Sequence, residues 1–317
     1  MSFKRILCQN NVIQLFQGII AKGRIAHAYI FTGTDGVGKA LFAKELVKTL
    51  FCESVQKTAR AFCEGNYVSV ALDACDNCRT CRRVESDNHP DVHWIVPEKE
   101  DKFIRIEYIH VLQDDVALKP VEADRKVFII SEANRMNEES SNCLLKTLEE
   151  PPPDTMIILI TTSVKSLRKT ITSRCQIVRF NPFPSSTVEA ELATRTRPER
   201  VSGFDTKSAK ANLSTTADTR LQRVPEARPE ALKWMAQFSC GSLGRAVEFL
   251  EKGIYERANY ITKRLSSLKL DDIFSFSKEI VEWDSYQGET SEEKRSRLRL
   301  ILEIFLQFYR DALLFKT

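Results

Sequence analysis

The stretch Ala28-Tyr29-Ile30-Phe31-Thr32-Gly33-Thr34-Asp35-Gly36-Val37-Gly38-Lys39-Ala40 decides how the whole chain reads. Residues 28–32 form a short, mainly apolar run that predicts a buried strand. Residues 33–39 follow the pattern G-x4-G-K, and Leu41 to Leu50 then continues with helical spacing. Strand, glycine loop and helix are the context that makes this pattern specific for phosphate binding. Gly33, Gly36 and Gly38 let backbone N–H groups curl around phosphates at a helix N-terminus, and Lys39 would reach the β- and γ-phosphates. The next position calls for Ser or Thr to hold Mg²⁺, and here it is Ala40. A methyl group ligates no metal, so the loop predicts phosphate binding but leaves hydrolysis in doubt.

Further along, Lys126 to Ile130 is a second β-branched and aromatic run that predicts a buried parallel strand. A P-loop ATPase carries a metal-holding Asp at the end of this strand, often with a Glu beside it. Here the two positions hold Ser131 and Glu132. Two separate metal-holding positions, 40 and 131, thus lack their usual groups. A helix is expected from Glu138 to Glu150, ended by Pro151-Pro152-Pro153. Further strands are expected at Met156–Thr161, running out into Thr162, and at Gln176–Phe180, just after Ser173-Arg174-Cys175. Alternating strands and helices argue for an α/β fold with a parallel sheet.

Nine cysteines stand at 8, 52, 63, 75, 78, 81, 143, 175 and 240, and Cys75-x2-Cys78-x2-Cys81 is the tightest group. In a reducing compartment such spacing suits a structural zinc ion better than disulfides. The residues alone leave Cys52 and Cys63 both open as the fourth ligand. An iron–sulfur cluster accepts the same spacing, but Arg82-Arg83 stand where a further cysteine and a proline usually follow. A site closed by four cysteines has no open position for substrate and is structural.

The net charge of +4 over 317 residues is too mild for a non-specific nucleic-acid coat protein. No apolar run approaches the ~18 residues that span a bilayer, and no apolar signal region follows the N-terminus, so a cytoplasmic, non-membrane protein is expected.

His27-Ala28-Tyr29, the glycine loop, the cysteine group, His89-Pro90-Asp91, Leu144 to Pro152 and Ser173-Arg174-Cys175 together resemble the clamp-loader branch of the AAA+ proteins. Within it, the resemblance is to the delta-prime subunit family of bacterial DNA polymerase III. It implies a P-loop AAA+ domain over residues 1–181 with an inserted zinc module at about 52–81. A helical lid domain at 182–252 and a helical collar at 253–317 would follow, the collar incomplete where the chain ends at Thr317. The implied role is a subunit that does not hydrolyse ATP, within a DNA-directed DNA polymerase assembly that loads the sliding clamp onto primed DNA. Its partners would be the gamma/tau motor subunits and the delta subunit. An active gamma-like motor is the alternative.

The resemblance makes Arg174 an arginine finger donated in trans, the other reading being a local salt bridge. It groups Gly33, Gly36, Gly38, Lys39, Glu132, Thr162 and Arg245 in a degenerate nucleotide site, with ATP binding left open. For Arg245, in Gly241-Ser-Leu-Gly-Arg-Ala, phosphate contact and local pairing stand equal. The metal ligands become Cys52, Cys75, Cys78 and Cys81, because Leu50-Phe51-Cys52 matches the family context. Residues 195–228 carry more bases than acids and few large apolar groups, which predicts a flexible insertion. The amphipathic stripe from Arg297 to Phe315 predicts a core or oligomer face.

Overall fold

The computed structural model describes residues 3–63, 72–97, 103–196, 228–282 and 291–314. The expected insertion at 195–228 lies almost wholly outside these residues. The chain divides into two compact units: residues up to Pro184 with Gly241–Gly244, and the helical remainder.

The first unit is an α/β fold on a five-stranded, fully parallel sheet in the order β2-β3-β4-β1-β5. The strands are β1 (Ala28–Thr32), β2 (Val92–Ile95), β3 (Lys126–Ile130), β4 (Thr155–Thr161) and β5 (Gln176–Arg179). Helices α1 (Asn10–Ala21), α2 (Lys39–Phe51), α3 (Glu53–Cys63), α4 (Arg79–Glu85), α5 (Ile106–Val116), α6 (Glu138–Glu149) and α7 (Lys169–Thr172) connect them. Strand β1 is buried along its whole length because both of its faces are covered. Tyr29 and Phe31 point to one side, where they meet Phe16 of α1, and Phe31 also meets Phe42 of α2 and Phe180. Ala28 and Ile30 point to the other side and join Ile109 and Leu112 of α5 with Leu144 and Leu148 of α6. The period-two alternation of a strand thus feeds two cores.

Helix α6 begins where Asn137 caps it, its side chain accepting the Ser140 N–H at 2.8 Å, with Glu138 and Glu139 in the first turn. It ends at Glu149, one residue short of the expected Glu150, with Glu150 as the C-cap before the proline run.

The motif His89-Pro90-Asp91 gains a structural role. Asp91 is fully buried, and its carboxylate accepts the backbone N–H groups of Val121, Glu122 and Ala123 at 2.7, 2.8 and 2.8 Å. It ties the start of β2 to the loop that enters β3. Burial alone would raise the Asp91 pKa, but the three N–H donors outweigh it and hold it below the usual value. A carboxyl depressed on folding contributes stability above its unfolded pKa of ~3.9 and loses it as pH falls through the folded value. Replacing Asp91 by alanine leaves three N–H groups without their charged acceptor and is expected to cost about 3–5 kcal/mol. Urea unfolding at neutral pH checks this, and the gap between the two proteins should close in acid below pH ~4.

The second unit is helical: α8 (Ser185–Thr196), α9 (Pro229–Phe238), α10 (Leu243–Glu251), α11 (Ile254–Ser266), α12 (Ile273–Glu282) and α13 (Ser291–Leu314). Its core includes Leu192, Leu232, Met235, Phe249, Leu250 and Ile261. On α13, Ile304 is buried, whereas Leu302, Leu306, Tyr309 and Leu313 are exposed at helical spacing. No described helix is long and apolar enough to cross a membrane.

Candidate nucleotide loop and metal centre

Parallel pairing brings the predicted nucleotide residues to one edge. Strands β3, β4 and β1 are neighbours, so the loop after Thr32, Ser131-Glu132 after β3 and Thr162 after β4 share the C-terminal edge of the sheet. Ligands of open α/β sheets bind at this edge.

The loop is built by its glycines. Gly38 has φ +89 and precedes α2, with open space around it, so the requirement there is conformational. Gly36 has φ +73, and a Cβ on it would lie 2.5 Å from Ser242 Oγ and 2.8 Å from Gly244 Cα. Gly244 also donates its N–H to the Gly36 carbonyl at 3.2 Å. The segment 241–244 is therefore packed directly on the loop. Lys39 is 6% exposed, and its ammonium donates to the Gly33 and Thr34 carbonyls at 2.6 and 2.8 Å, with Asp35 3.7 Å away. Burial lowers its pKa, partly offset by Asp35. Two of the three ammonium protons are thus taken by the loop itself.

Glu132 is exposed, in a left-handed conformation, and pairs with Arg135 at 3.0 Å. Thr162 is exposed. Arg245 pairs with Glu303 at 2.6 Å and lies 5.3 Å from the Phe249 ring centroid, both within the helical unit. Arg174 stands elsewhere. It precedes β5, whose first residue pairs with Tyr29, so it lies at the N-terminal edge of the sheet. Its guanidinium pairs with Glu149 at 2.8 Å and donates to the Thr170 carbonyl at 2.9 Å.

The four cysteines expected to hold metal do converge. The sulfurs of Cys52, Cys75, Cys78 and Cys81 lie within 4.8 Å of one another. A tetrahedral zinc site with Zn–S of ~2.3 Å requires sulfurs ~3.8 Å apart, so the set fits a metal ion with little adjustment. Cys52 caps the end of α2, and Cys78 is the N-cap of α4. Backbone N–H groups point at the sulfurs: Cys75 N to Cys52 at 3.4 Å, Cys78 N to Cys75 at 3.3 Å and Cys81 N to Cys78 at 3.4 Å. Such donors favour thiolate, and the Cys75 thiol comes down to about 6 despite its burial. The side chain of Cys63 lies outside the described residues.

The family match falls on this same unit. The family described as "DNA polymerase III, delta subunit" matches residues 8–184, more than half of the chain. The delta-prime subunit of DNA polymerase III from Bacillus subtilis is 38% identical over 184 residues, covering 58% of this chain and 51% of that protein. The delta-prime subunit from Pseudomonas aeruginosa is 30% identical over 185 residues, covering 58% of this chain and 52% of that protein. The tau subunit from Escherichia coli is 34% identical over 174 residues, covering 55% of this chain and 24% of that protein. The chain spans about half the length of the delta-prime relatives it matches. It belongs to the clamp-loader subunits of DNA polymerase III, in the delta-prime family.

Proposed function

We propose that this chain is a non-hydrolysing clamp-loader subunit of the bacterial replicative DNA polymerase III, working in the cytoplasm. The observation that carries the reading is the state of the shared sheet edge. Ala40 brings no hydroxyl and Ser131 no carboxylate to the place where Mg²⁺ would be held. The self-bonded Lys39 adds support, since a nucleotide would have to displace its two carbonyl contacts.

In this reading the subunit acts through its neighbours. Gamma/tau motor subunits and the delta subunit complete the ring, which loads the sliding clamp on primed DNA. Arg174 is the finger donated to nucleotide on the adjacent motor. Its position favours action in trans. The five residues of β1, at ~3.3 Å each, separate it from the chain's own phosphate loop by roughly 16 Å. The exposed Leu302–Leu313 face of α13 suits a collar in residues 253–317, with 182–252 as lid. The four cysteines hold zinc, which supplies structural cross-linking and no chemistry of reaction.

A gamma-like active motor is the second reading, favoured by the gamma subunit of Buchnera aphidicola, 27% identical over 289 residues and 90% of this chain. ATP turnover by the purified chain separates the two. No turnover above buffer is expected for the chain alone, and steady turnover without partners would overturn the proposal.

A further inference from the structure

Lys48 lies on α2 with only 2% of its side chain exposed. Its ammonium meets three carboxylates: Glu45 at 3.0 Å, Asp76 at 2.9 Å and Glu85 at 2.6 Å. Glu45 is fully buried and also accepts from Arg5 at 3.2 Å, and Arg5 in turn reaches Glu85 at 2.9 Å. Two of these acids sit on separate arms of the four-cysteine module. Asp76 follows Cys75 in the turn that carries the first two sulfurs of the C-x2-C run, at φ +59. Glu85 ends α4, the helix that Cys78 caps and that contains Cys81. Of these three contacts the one to Glu85 is a hydrogen bond, and those to Glu45 and Asp76 are ion pairs. One side chain thus clamps both arms of the module onto the helix that leaves the phosphate loop and ends at Cys52.

A buried ion cluster is weak grounds for stability, because desolvation offsets much of the Coulomb attraction. What it does supply is a defined position for each charged group. Groups beyond the ligands commonly act on metal affinity in this way, by fixing the ligand-bearing backbone. We propose that Lys48 is a positioning residue of the four-cysteine metal site, holding the Asp76 turn and α4 against α2 so that the four sulfurs are set for the ion. The proposal rests on the reading of these cysteines as a zinc site.

The test is the zinc affinity of the full chain, measured by competition with a chromophoric chelator. Four proteins are compared: unaltered chain, Lys48→Met, Asp76→Asn and Lys44→Met. Asp76→Asn removes one charge and leaves the Glu45–Lys48–Glu85 contacts in place, and asparagine tolerates the positive φ. It decides the question alone if Lys48→Met does not fold. Lys44 is on the same helix and pairs with Asp87 at 3.0 Å on the surface, so its variant is the control. By linkage, a substitution that weakens the apo and zinc-loaded forms equally leaves affinity unchanged. Expected is a loss of zinc affinity of about 10- to 100-fold for Lys48→Met, a loss in the same direction for Asp76→Asn, and a change under about twofold for Lys44→Met. Zinc bound with unchanged affinity by Asp76→Asn and by folded Lys48→Met would overturn the positioning role and leave the zinc reading intact. An equal loss in Lys44→Met would also overturn it. Failure of the unaltered chain to take up zinc would overturn both readings together.

Discussion

Replacing Cys78 by serine is expected to reduce bound zinc from about one equivalent per chain to near zero. Cys78 has two tasks at once. Its sulfur is one of the four that converge, and it caps α4 by accepting the N–H of Cys81. Serine can still cap the helix, so the cost of the change falls on metal binding. Structural zinc contributes an apparent ~10–16 kcal/mol to the folding of small zinc domains. The module is held to α2 by protein contacts as well, so a fraction of that is expected here. The measurement is metal analysis of both proteins after dialysis, with thermal unfolding followed before and after a chelator. The unaltered protein should lose stability on chelation, and Cys78→Ser should be indifferent to it. Equal metal content in the two proteins would remove the four-cysteine site. Cys143→Ser serves as the comparison, since Cys143 bonds to Gln113 on α5, outside the cluster, and its loss should leave zinc untouched.

The second large effect is expected from Arg174→Ala in a reconstituted ring. An arginine finger supplied across an interface is worth about 10³-fold or more in turnover. DNA-stimulated ATP turnover of a ring containing the variant should fall by that order at the site the chain adjoins. The variant itself should fold normally. Arg174 is 36% exposed and its ion pair with Glu149 is a surface pair, worth ~1 kcal/mol at most. Glu149→Gln separates the two roles of the arginine. If Arg174 matters only through Glu149, both variants should lose turnover alike. If it acts on nucleotide in trans, Glu149→Gln should keep turnover while Arg174→Ala loses it. Lysine at 174 should rescue little, because its single ammonium lacks the planar fork of guanidinium.

Much of the first unit was legible in the sequence because its signals are local. A strand, a glycine loop and a helix within residues 28–50 need no distant partner to be recognised, and β3, β4 and β5 were each announced by apolar runs bounded by charge, proline or turn residues. The proline stop of α6 was equally plain. The C-x2-C-x2-C spacing pointed to metal for the same reason. The choice of Cys52 as fourth ligand came from family context, and its convergence with the other three is a fact of the fold.

What stayed hidden depends on groups distant along the chain. Glu45 and Lys48 stand one helical turn apart, and burial and contacts to Asp76 and Glu85 make them the centre of a charged cluster. Asp91 carried no signal for its three N–H partners, which lie about thirty residues further on. The packing of Gly244 on Gly36 joins positions about two hundred residues apart.

The sequence by itself determined the kind of unit this is, and that Ala40 and Ser131 offer neither a hydroxyl after the glycine loop nor a carboxylate after β3, because residue identity and short spacing set both. Only the tertiary structure decided where those groups stand. Parallel pairing of β3, β4 and β1 gathers Lys39, Glu132 and Thr162 on one edge of the sheet, and the pairing of β5 with β1 sends Arg174 to the other. The physical reason is that hydrogen-bonded register between strands is a property of their pairing, which no single strand carries in its own residues.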